Sequence, residues 1–288
     1  WVNITTNPDG SIKPCCVSQD FIKKSDGTNY NLGKDSIEEI YNSPDFVSMR
    51  TKMLNGEEVA GCSQCYTYEK HGGNSNRTLY NNLWSFRTFD SPIAETKIQY
   101  FDLRFGNLCN LSCRSCQPGN SSTFAKESNE LQDKGMKKFY PVFNDIDDWY
   151  ETSIFDNNIE SQLDNLLLVY LTGGEPTIID KNIEMLDRLV ETGNSDRVRL
   201  LINSNMTNLK PSFHNALTKF KQVTFNASID GYGEMQEYLR YPSKWQQIDS
   251  NIKKLVQTSN VTIKPTPVVQ ITNLNKIVEL FEYFESFN

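Results

Sequence analysis

Long apolar runs are missing from this sequence. The longest, Leu166–Leu171, falls far short of the roughly 18 residues a membrane-spanning helix needs, so such a helix is excluded. A Lys/Arg-rich, apolar amino-terminal stretch is missing too, and with it any signal-peptide pattern. Positive charge is in deficit: 29 basic side chains stand against 36 acidic ones, a net charge of −7. That balance argues against a sequence-independent grip on phosphate backbones. Histidine is nearly absent, with His71 and His214 far from each other and from most other candidate ligands. Glycine and proline, 15 and 11, show no excess, and 38% hydrophobic residues argue against wholesale disorder. The 288 residues suit one large domain or two modest ones, with about three quarters of the unfolded surface buried. Because it opens on Trp1 and ends at Asn288 within a helix-like pattern, the chain is expected to be a fragment.

Against these absences stand seven cysteines in three clusters: Cys15 and Cys16, Cys62 and Cys65, and Cys109, Cys113 and Cys116. An odd number in tight groups fits a disulfide framework poorly. Thiolates a few residues apart converge instead on one small target, as metal sites require. Cys109-Asn-Leu-Ser-Cys113-Arg-Ser-Cys116 can hold three corners of a cubane iron–sulfur cluster and leave the fourth iron open. A structural zinc loop is the other reading, and it usually wants a fourth Cys or His within the module.

The flanks of the triple carry strand and turn signals. Ile98–Phe105 alternates as a strand that runs straight into it. The apolar run Leu166–Leu171 leads into Thr172-Gly173-Gly174-Glu175-Pro176, a turn where backbone comes close to a ligand and Glu175 supplies an acceptor. Further strands are expected at 198–202, 223–231 and 261–269. Amphipathic helices lie between them, one with Ile179, Ile183, Leu186, Leu189 and Val190 on a face before a capping Gly193, another from Trp245. Strand–helix alternation of this kind means parallel βα units, with the motifs at strand carboxyl ends.

The Cys-x3-Cys-x2-Cys triple followed by Gly-Gly-Glu-Pro resembles the radical S-adenosylmethionine (SAM) superfamily. The resemblance implies an α/β fold, a partial (β/α)6 TIM-like barrel over residues 93–288, truncated at its carboxyl end. It makes Cys109, Cys113 and Cys116 the ligands of a [4Fe–4S] cluster that binds and reductively cleaves SAM. A 5′-deoxyadenosyl radical then abstracts a substrate hydrogen. Gly173, Gly174, Glu175 and Pro176 would meet the methionine amine. Asn205 would lie in a SAM-facing turn, Ser228 in a Ser-x-Asp-Gly strand end near the ribose, and Arg240 near SAM or substrate. On the residues alone, Asn205 and Ser228 read equally as strand-end polar groups, and Arg240 as a surface partner of Glu237. The family's aromatic residue before the third cysteine is Ser115 here.

Residues 1–92 read as a small α+β domain. Asn7-Pro8-Asp9-Gly10 is a hairpin turn presenting Cys15-Cys16, Ser36 and Ser43 are helix caps, and Cys62-x2-Cys65 is a knuckle. Gly10-x4-Cys15 with Cys62-x2-Cys65 resembles the SPASM or twitch modules that bind auxiliary clusters in peptide- and protein-modifying members of the superfamily. This implies a second [4Fe–4S] cluster on Cys15, Cys62 and Cys65, a first ligand before Trp1, and Cys16 as a spare thiol. A zinc knuckle that merely folds the domain is the plainer reading. The resemblance further implies a peptide or protein substrate, a low-potential electron donor and a cytoplasmic setting. A zinc-stabilised scaffold without radical chemistry is the alternative. One or two helices are expected within 117–165 as a partial lid, and Trp149 and Tyr150 read as core or substrate wall.

Overall fold

The computed structural model describes residues 1–136 and 143–287. Part of the expected lid, residues 137–142, lies outside them. The fold is mixed α/β with parallel strands in βα order. It divides into two compact units: Trp1–Asp102 with Trp149–Asn165, and Leu103–Asp148 with Leu166–Asn288. Sequence reading divides the chain once, at 92/93, whereas the first unit takes in a second segment from the middle of the chain.

In the first unit, β1 (Asn3–Thr6) pairs antiparallel with β2 (Ile12–Lys13), Thr6 facing Ile12. The Asn7–Gly10 turn closes this hairpin, with Gly10 N donating to Asn7 O at 2.9 Å and Gly10 at φ 81°. β1 also runs parallel to the start of β3 (Tyr100–Arg104), Ile4 beside Phe101. Ser36 and Ser43 cap helices Ile37–Tyr41 and Pro44–Leu54 by accepting from Glu39 N and Phe46 N. Such caps satisfy amide groups that have no partner within the helix.

Residues 149–165 complete this unit's core. Trp149, 5% exposed, lies across Gly10, where any Cβ would overlap its ring, and its Nε1 donates to Pro8 O at 2.8 Å. In helix Ser153–Glu160, Asn158 accepts from Ile37 N at 2.9 Å and donates to Leu32 O and Asp35 O at 2.8 and 2.9 Å. Gln162 accepts from Ile98 N at 2.9 Å. Trp149 is therefore a core residue of this unit.

In the second unit, β4 (Leu168–Thr172), β5 (Arg199–Ser204), β6 (Gln222–Ala227) and β7 (Val261–Pro265) lie side by side, all parallel. β6 shows the alternation that makes a strand here: Val223, Phe225 and Ala227 are fully buried while Gln222 faces solvent. β7 ends at Pro265, short of the expected 269. Helix Asp180–Glu191 buries Met185, Leu186 and Leu189, and Gly193 follows in the left-handed conformation. Helix Trp245–Val256 buries Ile248, Ile252 and Leu255. Each parallel crossover brings the next strand's carboxyl end to the same edge, and there the loops carrying the motifs gather.

Candidate functional site

The loop after β3 carries Cys109, Cys113 and Cys116, and it is stitched to three strand-end loops of the second unit. After β4, Glu175 N donates to Leu108 O at 2.8 Å. After β5, Asn205 Nδ2 donates to Asn110 Oδ1 at 3.0 Å, and Asn110 Nδ2 to Thr207 Oγ1 at 2.8 Å. After β6, Ser112 N donates to Tyr241 O at 2.7 Å and Arg114 N to Leu239 O at 2.9 Å. From the far side, the start of helix Ser122–Leu131 holds the loop: Thr123 Oγ1 donates to Cys109 O and Ser121 Oγ to Leu111 O, both at 2.6 Å.

The two glycines of the Gly-Gly-Glu-Pro turn have a steric reason to be glycine. Gly174, at φ 51°, sits so close to the Leu108 carbonyl that any Cβ would overlap it. A Cβ on Gly173, at φ 76°, would come within 2.7 Å of Arg104 Cβ. Pro176 is buried at the first position of the next helical turn.

Glu175, 1% exposed, is enclosed by donors. Its Oε1 accepts from Thr177 N, Thr177 Oγ1 and Ser204 Oγ at 3.2, 2.7 and 2.8 Å, and its Oε2 from Asn205 N at 2.7 Å. The carboxylate thus ties the β4 turn to the β5 turn. Burial nonetheless pushes its pKa above the ordinary carboxylate value, the four donors opposing it. A raised folded pKa means the folded chain binds that proton more tightly than the unfolded chain. The stability this contributes is complete below the ordinary value of 4.5 and is lost as pH rises through the raised one. Glu175→Gln removes the dependence but turns an amide donor toward Asn205 N. Its deficit against the parent is expected to be greatest near pH 4 and to narrow toward pH 8, read by urea unfolding across that range. A constant deficit would contradict the assignment.

Arg240 ends the short helix Glu234–Leu239. Its Nε and Nη2 grip both oxygens of Asp230 at 2.9 and 3.0 Å, and Nη1 stands 3.9 Å from Cys113 Sγ. The Arg240 side chain is 11% exposed and that of Asp230 not at all. Glu237, its neighbour in sequence, instead binds Lys244 Nζ and Trp245 N. Burial pushes the Cys113 thiol up to about 12, with the Arg240 charge pulling it back. Burial likewise carries Cys109 to about 11 and raises Cys116. Ser228 N donates to Ser204 O at 2.8 Å, joining the β5 and β6 ends, while Ser115 is exposed.

The first unit has its own site, a cavity of about 250 Å³ lined by Cys15, Cys16, Cys62 and Cys65 with Tyr100 and Asp102 of β3. Asn76 Nδ2 lies 3.8 Å from Cys16 Sγ, and the Tyr80 and Tyr100 hydroxyls are 2.9 Å apart. Burial pushes Cys62 up to about 11 and raises Cys15. Buried thiols of this kind ionise when metal binds, because the metal supplies the charge that burial withholds. Among the described residues no three His, Cys, Asp or Glu side chains are grouped to hold a single metal ion. A cubane makes no such demand, since each thiolate takes its own iron. Both sites offer free thiols, the donor chemistry that iron–sulfur clusters take.

Sequence reading placed Cys109, Cys113, Cys116, Glu175, Asn205 and Arg240, which the second unit gathers. It gave no role to Asn110, Thr207 or Asp230, the residues that hold them, although Asp230 stands in the Ser-x-Asp-Gly strand end and Thr207 in the Asn205 turn. Asp230 carried a signal, an acidic residue in the otherwise uncharged stretch 222–233. The bond between Asn110 and Thr207 carried none, because the two residues lie 97 positions apart, whereas the link of Thr207 N and Oγ1 to Asn205 Oδ1 is local.

Residues 1–66 match the SPASM family, an iron–sulfur cluster-binding domain. Among solved structures the chain is similar to Streptococcus suis SuiB bound to the precursor peptide SuiA, at 15% identity and TM-score 0.39, covering 97% of this chain and 60% of that one. It is also similar to SuiB bound to S-adenosylmethionine, at 14% and 0.42, covering 99% and 61%. The chain thus spans about 60% of the length of the structures it matches. The curated proteins contain no match. No helix of the described residues is long and apolar enough to cross a membrane.

Proposed function

We propose that this chain is a radical SAM enzyme acting on a peptide or protein, with a SPASM-type auxiliary cluster in its first unit. The observation that carries the reading is the stitching of the Cys-x3-Cys-x2-Cys loop to the loops that hold Gly-Gly-Glu-Pro, Asn205 and the Asp230–Arg240 pair. A structural zinc knuckle has no use for three strand ends converging on it. The SPASM match at residues 1–66 supports a second iron–sulfur site and, through it, the peptide or protein substrate class.

Cys109, Cys113 and Cys116 would hold the first cluster; Cys15, Cys62 and Cys65 would hold the auxiliary one. Bound there, cluster and SAM would supply one-electron reductive chemistry and, through it, the means to take a hydrogen from the substrate. The chain's residues do the rest. Glu175 fixes the β4 turn against the β5 turn, and the Gly173-Gly174 backbone held in that turn would meet the incoming amine. Asn205 holds the cysteine loop through Asn110. Arg240 keeps a positive charge against the sulfur of Cys113, which favours the thiolate that iron requires. Ser228, just after β6, would meet a ribose hydroxyl in this reading. A low-potential electron donor and a reducing, cytoplasmic setting belong to the same reading, since oxidation destroys such clusters.

The test is anaerobic reconstitution with iron and sulfide, reduction with dithionite, addition of SAM, and assay of 5′-deoxyadenosine. Brown protein that releases 5′-deoxyadenosine is the expected result. Protein that takes up only zinc, or binds iron and leaves SAM intact, would overturn the proposal and favour a scaffold.

A further inference from the structure

Cys113 and Arg240 are held face to face. The backbone amides on either side of Cys113, those of Ser112 and Arg114, donate to the carbonyls on either side of Arg240, those of Tyr241 and Leu239, at 2.7 and 2.9 Å. This pairing sets residue 113 directly opposite residue 240, in the manner of an antiparallel ladder. Asp230 fixes the remaining freedom. Its carboxylate takes Nε and Nη2 of Arg240 in a planar fork and accepts from Val268 N at 2.8 Å. Its own backbone is pinned by Gln236, which accepts from Asp230 N at 2.8 Å, and by Asn273, which donates to Asp230 O at 2.7 Å. A guanidinium is rigid and planar, so a fork on one edge dictates where the remaining nitrogen points. Here Nη1 points at Cys113 Sγ.

We propose that Arg240 is a sulfur-directed cation that raises the reduction potential of the cluster on Cys109, Cys113 and Cys116, with Asp230 as its positioning residue. The proposal rests on the iron–sulfur reading of that triple. Reduction adds negative charge to a cluster, and a buried positive charge beside a ligating sulfur stabilises the reduced form. Asp230 is farther from the sulfur and partly cancels the effect without abolishing it. Arg240 is thereby assigned a task toward the cluster itself, separate from contact with SAM or substrate.

The experiment uses Cys62→Ala/Cys65→Ala chain, reconstituted anaerobically, so that the triple's cluster is read alone. Its midpoint potential is measured by titration followed by electron paramagnetic resonance, without SAM. Arg240→Met alone strands a buried carboxylate, so the key variant is Asp230→Asn/Arg240→Met, which removes both charges and keeps the volume. Its reduction equilibrium constant is expected to fall about tenfold, a shift of about 59 mV for a one-electron couple. Arg240→Lys, which keeps the charge but not the fork, is expected to fall between the two. A cluster with the parent's potential in the double variant would overturn the proposal while leaving the iron–sulfur reading intact. A parent that binds no iron at the triple would overturn the reading, and the proposal with it.

Discussion

Cys113→Ala is expected to retain about half the parent's iron and to release no 5′-deoxyadenosine from SAM above background. The halving follows from two separate thiol sets, one in each compact unit: the variant removes a thiol from the second and leaves Cys15, Cys62 and Cys65 of the first untouched. The fold is expected to survive. Cys113 gives up a single buried sulfur, while the amides of Ser112 and Arg114 keep their bonds to Tyr241 and Leu239 and Arg240 keeps its fork on Asp230. A small truncation at such a site costs about 1–2 kcal/mol, less than a chain of this size holds in reserve. Iron, sulfide and 5′-deoxyadenosine are measured on the same sample beside Cys62→Ala. If Cys113→Ala bound the parent's full iron, or still cleaved SAM, Cys113 would not be a ligand.

Arg240→Met is expected to lower the free energy of unfolding by about 3–5 kcal/mol, the cost of leaving one member of a buried ion pair without its partner. Asp230 has no exposed side-chain surface, and Arg240 is the ion-pair partner of its carboxylate. Methionine fills the arginine stem's volume, which isolates the charge. Val268 N remains a donor to Asp230, and it cannot neutralise a carboxylate. Urea unfolding of the apo chain at neutral pH measures the loss. Adding Asp230→Asn is expected to recover most of it, because a buried ion pair replaced as a unit leaves no orphaned charge. If Arg240→Met cost no more than a surface substitution, the pair would be solvated and its rigidity unsupported.

Local features of this chain were legible because local chemistry decides them. Gly10 takes the positive φ its turn requires, Ser36 and Ser43 cap the helices that begin after them, and Gly193 ends a helix in the left-handed conformation. The order of strands was legible from period-two burial and from motif order. Partner choice was not. Sequence proximity offered Glu237 to Arg240, but Glu237 is taken by Trp245 N and Lys244, and the partner is Asp230, ten residues back across a loop. Glu175 read as an acceptor for a ligand, whereas its carboxylate is met by Thr177, Ser204 and Asn205. Trp149 read as core or wall, and only its contact with Gly10, far away in the chain, decides between them. A strand's period says which face is buried and nothing about which distant side chain covers it.

The return of residues 149–165 to the first unit governs the timing of its birth on the ribosome. Residues 1–102 emerge without Trp149 against Gly10, without Asn158 for Ile37 N and without Gln162 for Ile98 N. Those amides wait in water while the next segment is made, and at about 5–20 residues per second that wait lasts several seconds. A nascent chain cut at codon 92 would never receive these partners, so dissecting this protein calls for a circularly permuted or spliced gene that carries 149–165 alongside 1–102.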